Sequence, residues 1–243
     1  LSQLNSIGGS LEIDDNPVLM NLDGLSNVTS VDGFLLVGST YYGGNLSLLN
    51  VDGLSSVSSI AGDIVLSGNE SLLNIDGLGA VQSIGGYVLI EGNTALLQID
   101  GLSQITEMIG GFWIENNASL QNLDGLSNVV FAGGDVMVAG NPSLLHLNGL
   151  LGLTEIGGDL EIGHSYYGGN ISLQNLDGLA NLETVNGWLT VAGNTALQEI
   201  DGLSTVESIG GTLELKGNTM LANLDGLFTL SSIGQFNFCF FSS

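Results

Sequence analysis

An Asp-Gly-Leu triplet returns along the chain at a nearly constant interval, and this spacing constrains the fold more than any other feature. Its first residue falls at Asp23, Asp52, Asp76, Asp100, Asp124, Asn148, Asp177, Asp201 and Asp225, separated by 29, 24, 24, 24, 24, 29, 24 and 24 residues. A fixed period in this range is the signature of a solenoid, in which each coil packs only on its neighbours. Residues 1–22 read as the same unit without its opening Asp. The whole chain, 1–243, therefore reads as one solenoid domain of about ten coils, in two approximate five-coil blocks of 125 residues. The 29-residue coils span 23–51 and 148–176.

Two spacings alternate inside a coil. In Tyr87-Val88-Leu89-Ile90-Glu91 the pair Val88 and Ile90 follows the two-residue period of a strand, and every coil has an equivalent. Elsewhere apolar residues come every third position, as at Leu96, Ile99, Leu102, Ile105 and Met108. That spacing suits corners built from short 3-10 or bent extended pieces. Gly85-Gly86 and Gly92 mark positions of positive φ or close packing. Stacking such coils predicts a right-handed parallel β-solenoid with one long parallel sheet and little or no regular α-helix. Seven apolar side chains per coil would point inward.

Two polar ladders accompany the repeat. Asn16, Asn45, Asn69, Asn93, Asn117, Asn141, Asn170, Asn194 and Asn218 recur at the corner after the strand. Stacked, inward-pointing Asn side chains can exchange amide hydrogen bonds and satisfy buried turn groups. The ladder Asp23, Asp52, Asp76, Asp100, Asp124, Asp177, Asp201 and Asp225 is expected to cap the next turn, its carboxylates accepting from nearby N–H groups while the following Gly turns the chain.

The unit Ile-Gly-Gly-x-Leu-x-Ile-x-Gly-Asn-x-x-Leu-x-x-Leu-Asp-Gly-Leu resembles the leucine-rich-repeat-like coils of receptor L domains. More nearly, it is similar to the L-domain-like arrays of secreted bacterial and fungal surface proteins. The resemblance covers nearly the whole chain and implies an extracellular or cell-surface repeat scaffold for binding, adhesion or surface structure. The many near-identical coils, and the missing cysteine modules and end caps, depart from receptor L domains.

Composition narrows the function. The net charge is −24, from 25 acidic residues against Lys216 alone. Neutralising phosphates takes Lys and Arg, so nucleic acid is excluded as a partner and an anionic membrane surface is disfavoured. Apolar residues never approach the run of ~20 that membrane insertion requires. Cys239 is the single cysteine, so no internal disulfide framework is possible. Leu1 begins in mid-repeat, as expected of a mature or excised segment.

Enzymatic chemistry finds little to work with. His146 and His164 are the only histidines, and the acidic residues repeat in every coil as a scaffold would require. Asp14-Asp15-Asn16 matches no calcium loop, and neither metal nor cofactor is expected. Of the glycosylation sequons at Asn27, Asn45, Asn69, Asn117 and Asn170, all but Asn27 fall in the Asn ladder.

The departures from the repeat point to an interaction surface. The outward mid-strand column reads Glu12, Leu36, Val65, Leu89, Trp113, Met137, Glu161, Thr190 and Glu214. Five consecutive coils thus carry a large apolar residue where a polar one is expected, and Phe34, Tyr87 and Trp188 add to it from the neighbouring column. The five-residue insertions bring Tyr41-Tyr42 and Tyr166-Tyr167 to the same sheet edge, about 24 Å apart. Tyr is a favoured interface residue. Leu1 and Leu4 at one end, and Phe236, Phe238, Phe240 and Phe241 at the other, suggest uncapped coils able to stack end to end. The resulting reading is a structural or self-assembling cell-surface or filament component. The alternative is an adhesin or receptor-like module whose outer face binds a glycan or protein.

Overall fold

A computed structural model describes residues 3–166 and 168–237. The alternating positions become a parallel ladder. Leu11–Ile13, Leu35–Val37, Ile64–Ser67, Val88–Glu91, Gly111–Glu115, Asp135–Ala139, Leu160–Ile162 and Leu189–Ala192 lie side by side, followed by the later parts of Ser208–Lys216 and Ser232–Asn237. Leu35 pairs with Ile64 and Leu160 with Leu189, so both 29-residue coils keep register and their extra residues lie outside the ladder. Among the described residues the helical elements are all 3-10 turns, formed at Asp-Gly-Leu and at Asn148–Leu150.

The three-residue spacing buries its side chains because a bent chain presents each third residue to the same interior. Leu96, Ile99, Leu102, Ile105, Met108, Phe112 and Ile114 are fully buried, giving one coil its seven core positions. The same layer repeats in one cluster from Leu22 to Leu215. One part of each corner also pairs with its neighbours. Ser30–Val31, Ser59–Ile60 and Ser83–Ile84 form a second parallel ladder. Glu107–Met108, Phe131–Ala132, Glu155–Ile156 and Thr184–Val185 form another, which merges with the main sheet at Ser208–Lys216.

The Asn ladder is built as its spacing predicts. Asn93 N–H and Nδ2 both donate to Asn117 Oδ1, at 3.1 and 3.4 Å, and Asn117 repeats the pattern onto Asn141. From Asn45 onward each Nδ2 also reaches a carbonyl of the preceding coil, as Asn117 does to Ile90 at 2.9 Å. From Asn45 to Asn194 these residues are fully buried.

The Asp-Gly-Leu corner works differently from expectation. The Asp carboxylates are exposed, and the capping oxygen sits two residues earlier: Asn74 Oδ1 accepts from Asp76 N–H at 3.2 Å, and Gln98 Oε1 from Asp100 N–H at 2.8 Å. An Asp at the first helical position has its carboxylate directed to solvent, while the side chain two residues back can reach the turn's amide. The Gly is required by packing rather than by φ. A Cβ on Gly101 would lie 1.9 Å from the Ile75 carbonyl oxygen of the coil below. Gly92, by contrast, has a φ of 66° and does turn the chain.

The last coil breaks step. Ile209 pairs with Ile233 but Thr212 pairs with Gln235, because Gly234 stands alone where earlier coils have two residues. Phe236 thereby comes opposite Leu213, and Leu4 packs partly buried against the core at the other end. Leu1, Tyr167, Phe238, Cys239, Phe240 and Phe241 lie outside the described residues.

Candidate functional site

The outward column forms as its spacing predicts. Leu36 pairs with Val65, Val65 with Leu89, Leu89 with Trp113 and Trp113 with Met137, so five apolar side chains stand in unbroken succession. Their exposure is lower than the sequence suggests. Leu36, Val65, Leu89, Met137, Phe34 and Tyr87 are half-buried, and Trp113 is 37% exposed. Strands about 4.8 Å apart make successive large side chains in a column cover one another. Tyr87 leans on Trp113 with ring centroids 5.7 Å apart and planes inclined by 31°. Trp188, 58% exposed, stands apart from this patch, beyond the acidic coil that carries Asp159 and Glu161.

Both insertions are short closed loops on one edge of this face. Ser39 and Gly43 exchange two backbone hydrogen bonds, as do His164 and Gly168. Each loop is pinned to the coil below, through Asp15 N–H to the Gly43 carbonyl and Gly140 N–H to the Gly168 carbonyl, both at 2.9 Å. Ser39 Oγ accepts from Tyr41 and Tyr42 N–H, and His164 Nδ1 takes the corresponding role for Tyr166 N–H at 3.0 Å. His164 is thereby a turn-forming residue whose Nε2 faces Glu161 Oε2 at 3.8 Å. Tyr41 and Tyr166 project 85% and 84% exposed, and Tyr42 meets Tyr41 edge-on at 4.8 Å. The loops belong to strands five steps apart in the sheet.

Carboxylates lie between the loops. Glu91 Oε2 accepts from Thr40 Oγ1 of the first loop at 3.1 Å and from Ser67 Oγ at 3.2 Å. Glu115, opposite Glu91 on the next strand, is 6% exposed, and its Oε2 has no hydrogen-bond partner. Burial, then Glu91 and Glu161, push its carboxyl up to about 7. Glu161 is also raised, chiefly by burial, with His164 opposing. Among the described residues no three His, Cys, Asp or Glu side chains form a group able to hold a metal ion.

Sequence reasoning missed two features. One is Glu115 itself, which reads as an ordinary polar residue at a strand end. The other is a second apolar stripe, Met20, Leu49, Leu73 and Leu97, exposed on four consecutive coils and resumed at Leu145 after Gln121. Its signal was present in the repeated Leu-Leu doublet, where only the first Leu keeps the inward three-residue phase.

The arrangement defines a leucine-rich-repeat-like array: 24-residue coils, a parallel strand in each, an Asn ladder behind the strand and a 3-10 corner. No family model and no curated protein matches the chain. Among solved structures it is similar to a leucine-rich repeat protein from Bacteroides ovatus ATCC 8483, at 16% identity, over 92% of this chain and 82% of that one, with a TM-score of 0.25. The description as a repeat solenoid rests on the coil geometry, and that superposition carries no part of it.

Proposed function

We propose that the chain is a non-enzymatic extracellular repeat scaffold that holds a partner protein or glycan on the outer face of its sheet. The observation that carries this reading is the registered column from Leu36 to Met137, flanked by two tyrosine loops that are each pinned to the coil below. Large apolar side chains on a solvated face favour association, and rigid tyrosines lose little entropy on contact. Neither histidine stands in a catalytic arrangement: His164 caps its loop, and His146 occupies the place, two residues before a 3-10 turn, from which Asn74 caps elsewhere. Binding of arrayed extracellular glycans and proteins to the immobilised chain tests the reading. Trp113→Ala combined with Tyr41→Ala should abolish capture, and undiminished capture would exclude this face.

Self-assembly through stacked terminal coils is a second reading. It is favoured by a cavity of about 380 Å³ at the first coil, lined by apolar residues including Leu11, Ile13, Leu19 and Leu22, where a coil of a second copy would seat. Electron microscopy of dilute protein separates the two. Fibres running along the solenoid axis support stacking, whereas a monomer at every concentration removes it and leaves the sheet face.

A further inference from the structure

We propose that the strip between the tyrosine loops receives a cationic segment of a partner protein, an extended stretch with lysine or arginine beside apolar side chains, anchored by Glu115 and Trp113. The proposal rests on the sheet-face reading above and adds the partner's chemistry.

Several carboxylates of this face find donors within the chain. Asp63 Oδ1 accepts from Tyr87 N–H, Asp135 Oδ1 from Asp159 N–H, and Asp159 Oδ1 from Trp188 N–H. Those three hold successive coils together. Glu91 has the hydroxyls of Thr40 and Ser67. Glu115 and Glu161 differ, each with one buried oxygen that has no donor; Glu161 has His164 facing it at 3.8 Å, whereas Glu115 is more than nine-tenths buried. Its register neighbours are Glu91 and Ala139, neither of which can donate from its side chain as a carboxylate or a methyl. The chain's one basic residue, Lys216, lies in a strand four steps further along. A buried carboxylate without donors is costly, and a guanidinium or ammonium group is the partner that removes the cost most fully.

The surroundings suit such a group. Trp113 stands two residues before Glu115 on the same strand, with the Tyr87 ring leaning on it from the far side, and an indole face attracts a cation. Leu89 and Met137 offer apolar surface to the aliphatic stems of Lys or Arg. The span of about 24 Å between the loops accommodates roughly seven residues of extended chain. A net charge of −24 repels a second copy laid face to face and repels any acidic partner.

Proton linkage supplies a distinguishing readout. Glu115 faces Glu91 on the preceding strand and Glu161 two strands on, with His164, Asp159, Asp135 and Glu214 around Glu161. A cation that binds the ionised carboxylate displaces its proton, so affinity should rise between roughly pH 6 and pH 8.

The test is calorimetric titration of the full chain with an octapeptide of alternating arginine and leucine. An octapeptide with glutamate replacing arginine and a neutral hexasaccharide serve as comparators. The arginine peptide should bind and the glutamate peptide should not. Trp113→Ala and Trp113→Phe distinguish loss of the indole from loss of packing, and the alanine should weaken binding about tenfold. Glu115→Gln should weaken it comparably and abolish the pH dependence. A variant carrying Asp76→Asn, Asp100→Asn and Asp124→Asn removes more charge from the exposed corner ladder and should bind as the parent does. Melting curves establish that each variant is folded. Equal weakening by the corner variant would mean unspecific attraction and overturn the proposal. Hexasaccharide binding lost in Trp113→Ala, without peptide binding, would overturn the cationic partner while the sheet-face reading stands. Peptide binding indifferent to both Trp113→Ala and Glu115→Gln would remove both.

Discussion

Glu115 lies directly opposite Glu91 on the neighbouring strand, yet two hydroxyl donors reach Glu91 Oε2 and none reaches Glu115 Oε2. One column therefore holds a satisfied carboxylate beside a costly one. Burial first, then Glu91 and Glu161, raise the Glu115 carboxyl from 4.5 to about 7. The folded chain consequently binds this proton more tightly than the unfolded chain. The stabilising contribution is fully present below the unfolded value of 4.5 and is lost as pH rises through about 7. Glu115→Gln keeps the shape and removes the titration. Chemical denaturation should find the variant more stable by about 2–3 kcal/mol at ~pH 8 and nearly equal to the parent at ~pH 4. A difference of the same size at both values would assign the effect to packing.

The Asn ladder predicts a larger loss. Asn117 Oδ1 accepts from Asn93, and Asn117 Nδ2 donates to the carbonyls of Ile90 and Glu115. Asn117→Ala leaves several of these groups buried without partners, each costing about 1–3 kcal/mol. We expect destabilisation on the order of 3 kcal/mol or more, read as a lower urea midpoint. The same change at exposed Asn16, whose Nδ2 reaches a solvent-accessible carbonyl of Asp14, should cost far less.

Two glycines of one motif should behave oppositely. A Cβ at Gly101 would meet the Ile75 carbonyl oxygen at 1.9 Å, while nothing lies within 4 Å of one at Gly24. Gly101→Ala must push adjacent coils apart and should lower the melting temperature by several degrees, in line with a loss of about 2 kcal/mol or more. Gly24→Ala should be neutral to within about 0.5 kcal/mol, or slightly stabilising through the unfolded chain. Equal losses would mean that the turn's φ, rather than the coil beneath it, demands glycine.

The contrast between these glycines shows why the fold was legible in the sequence and parts of the site were not. Spacing fixes what the repeat must do identically in every coil: the inward residues such as Leu96 and Ile99, the strand at Val88 and Ile90, and the Asn corner. It is silent on which neighbour makes a residue necessary. Asp76 and Asn74 recur with the same period, and only in the folded chain is it plain that Asn74 supplies the cap while Asp76 faces solvent. Apolar Leu36 to Met137 were readable as a column because strand alternation fixes their face. Their mutual shielding and the isolation of Trp188 were not, since both depend on side chains in adjacent coils. Glu115 was invisible for the same reason: its burial comes from strands before and after it.

The two insertions show different residues filling one structural role, and this can be tested by exchange. Ser39 Oγ accepts from Tyr41 and Tyr42 N–H, and His164 Nδ1 accepts from Tyr166 N–H. If acceptance at that position is what closes the loop, His164→Ser should preserve it, because serine already does so in the first insertion. His164→Ala removes the acceptor and should open the loop. The change corresponds to one hydrogen bond of about 1 kcal/mol, or roughly a fivefold rise in the open population. Limited chymotrypsin digestion, followed at the tyrosines of each insertion, reads that population directly. Cleavage in the second loop should accelerate about fivefold in His164→Ala and stay near the parent rate in His164→Ser, with the first loop unchanged in both. Acceleration by serine and alanine alike would mean that the contact of His164 with Glu161, at 3.8 Å, holds the loop instead.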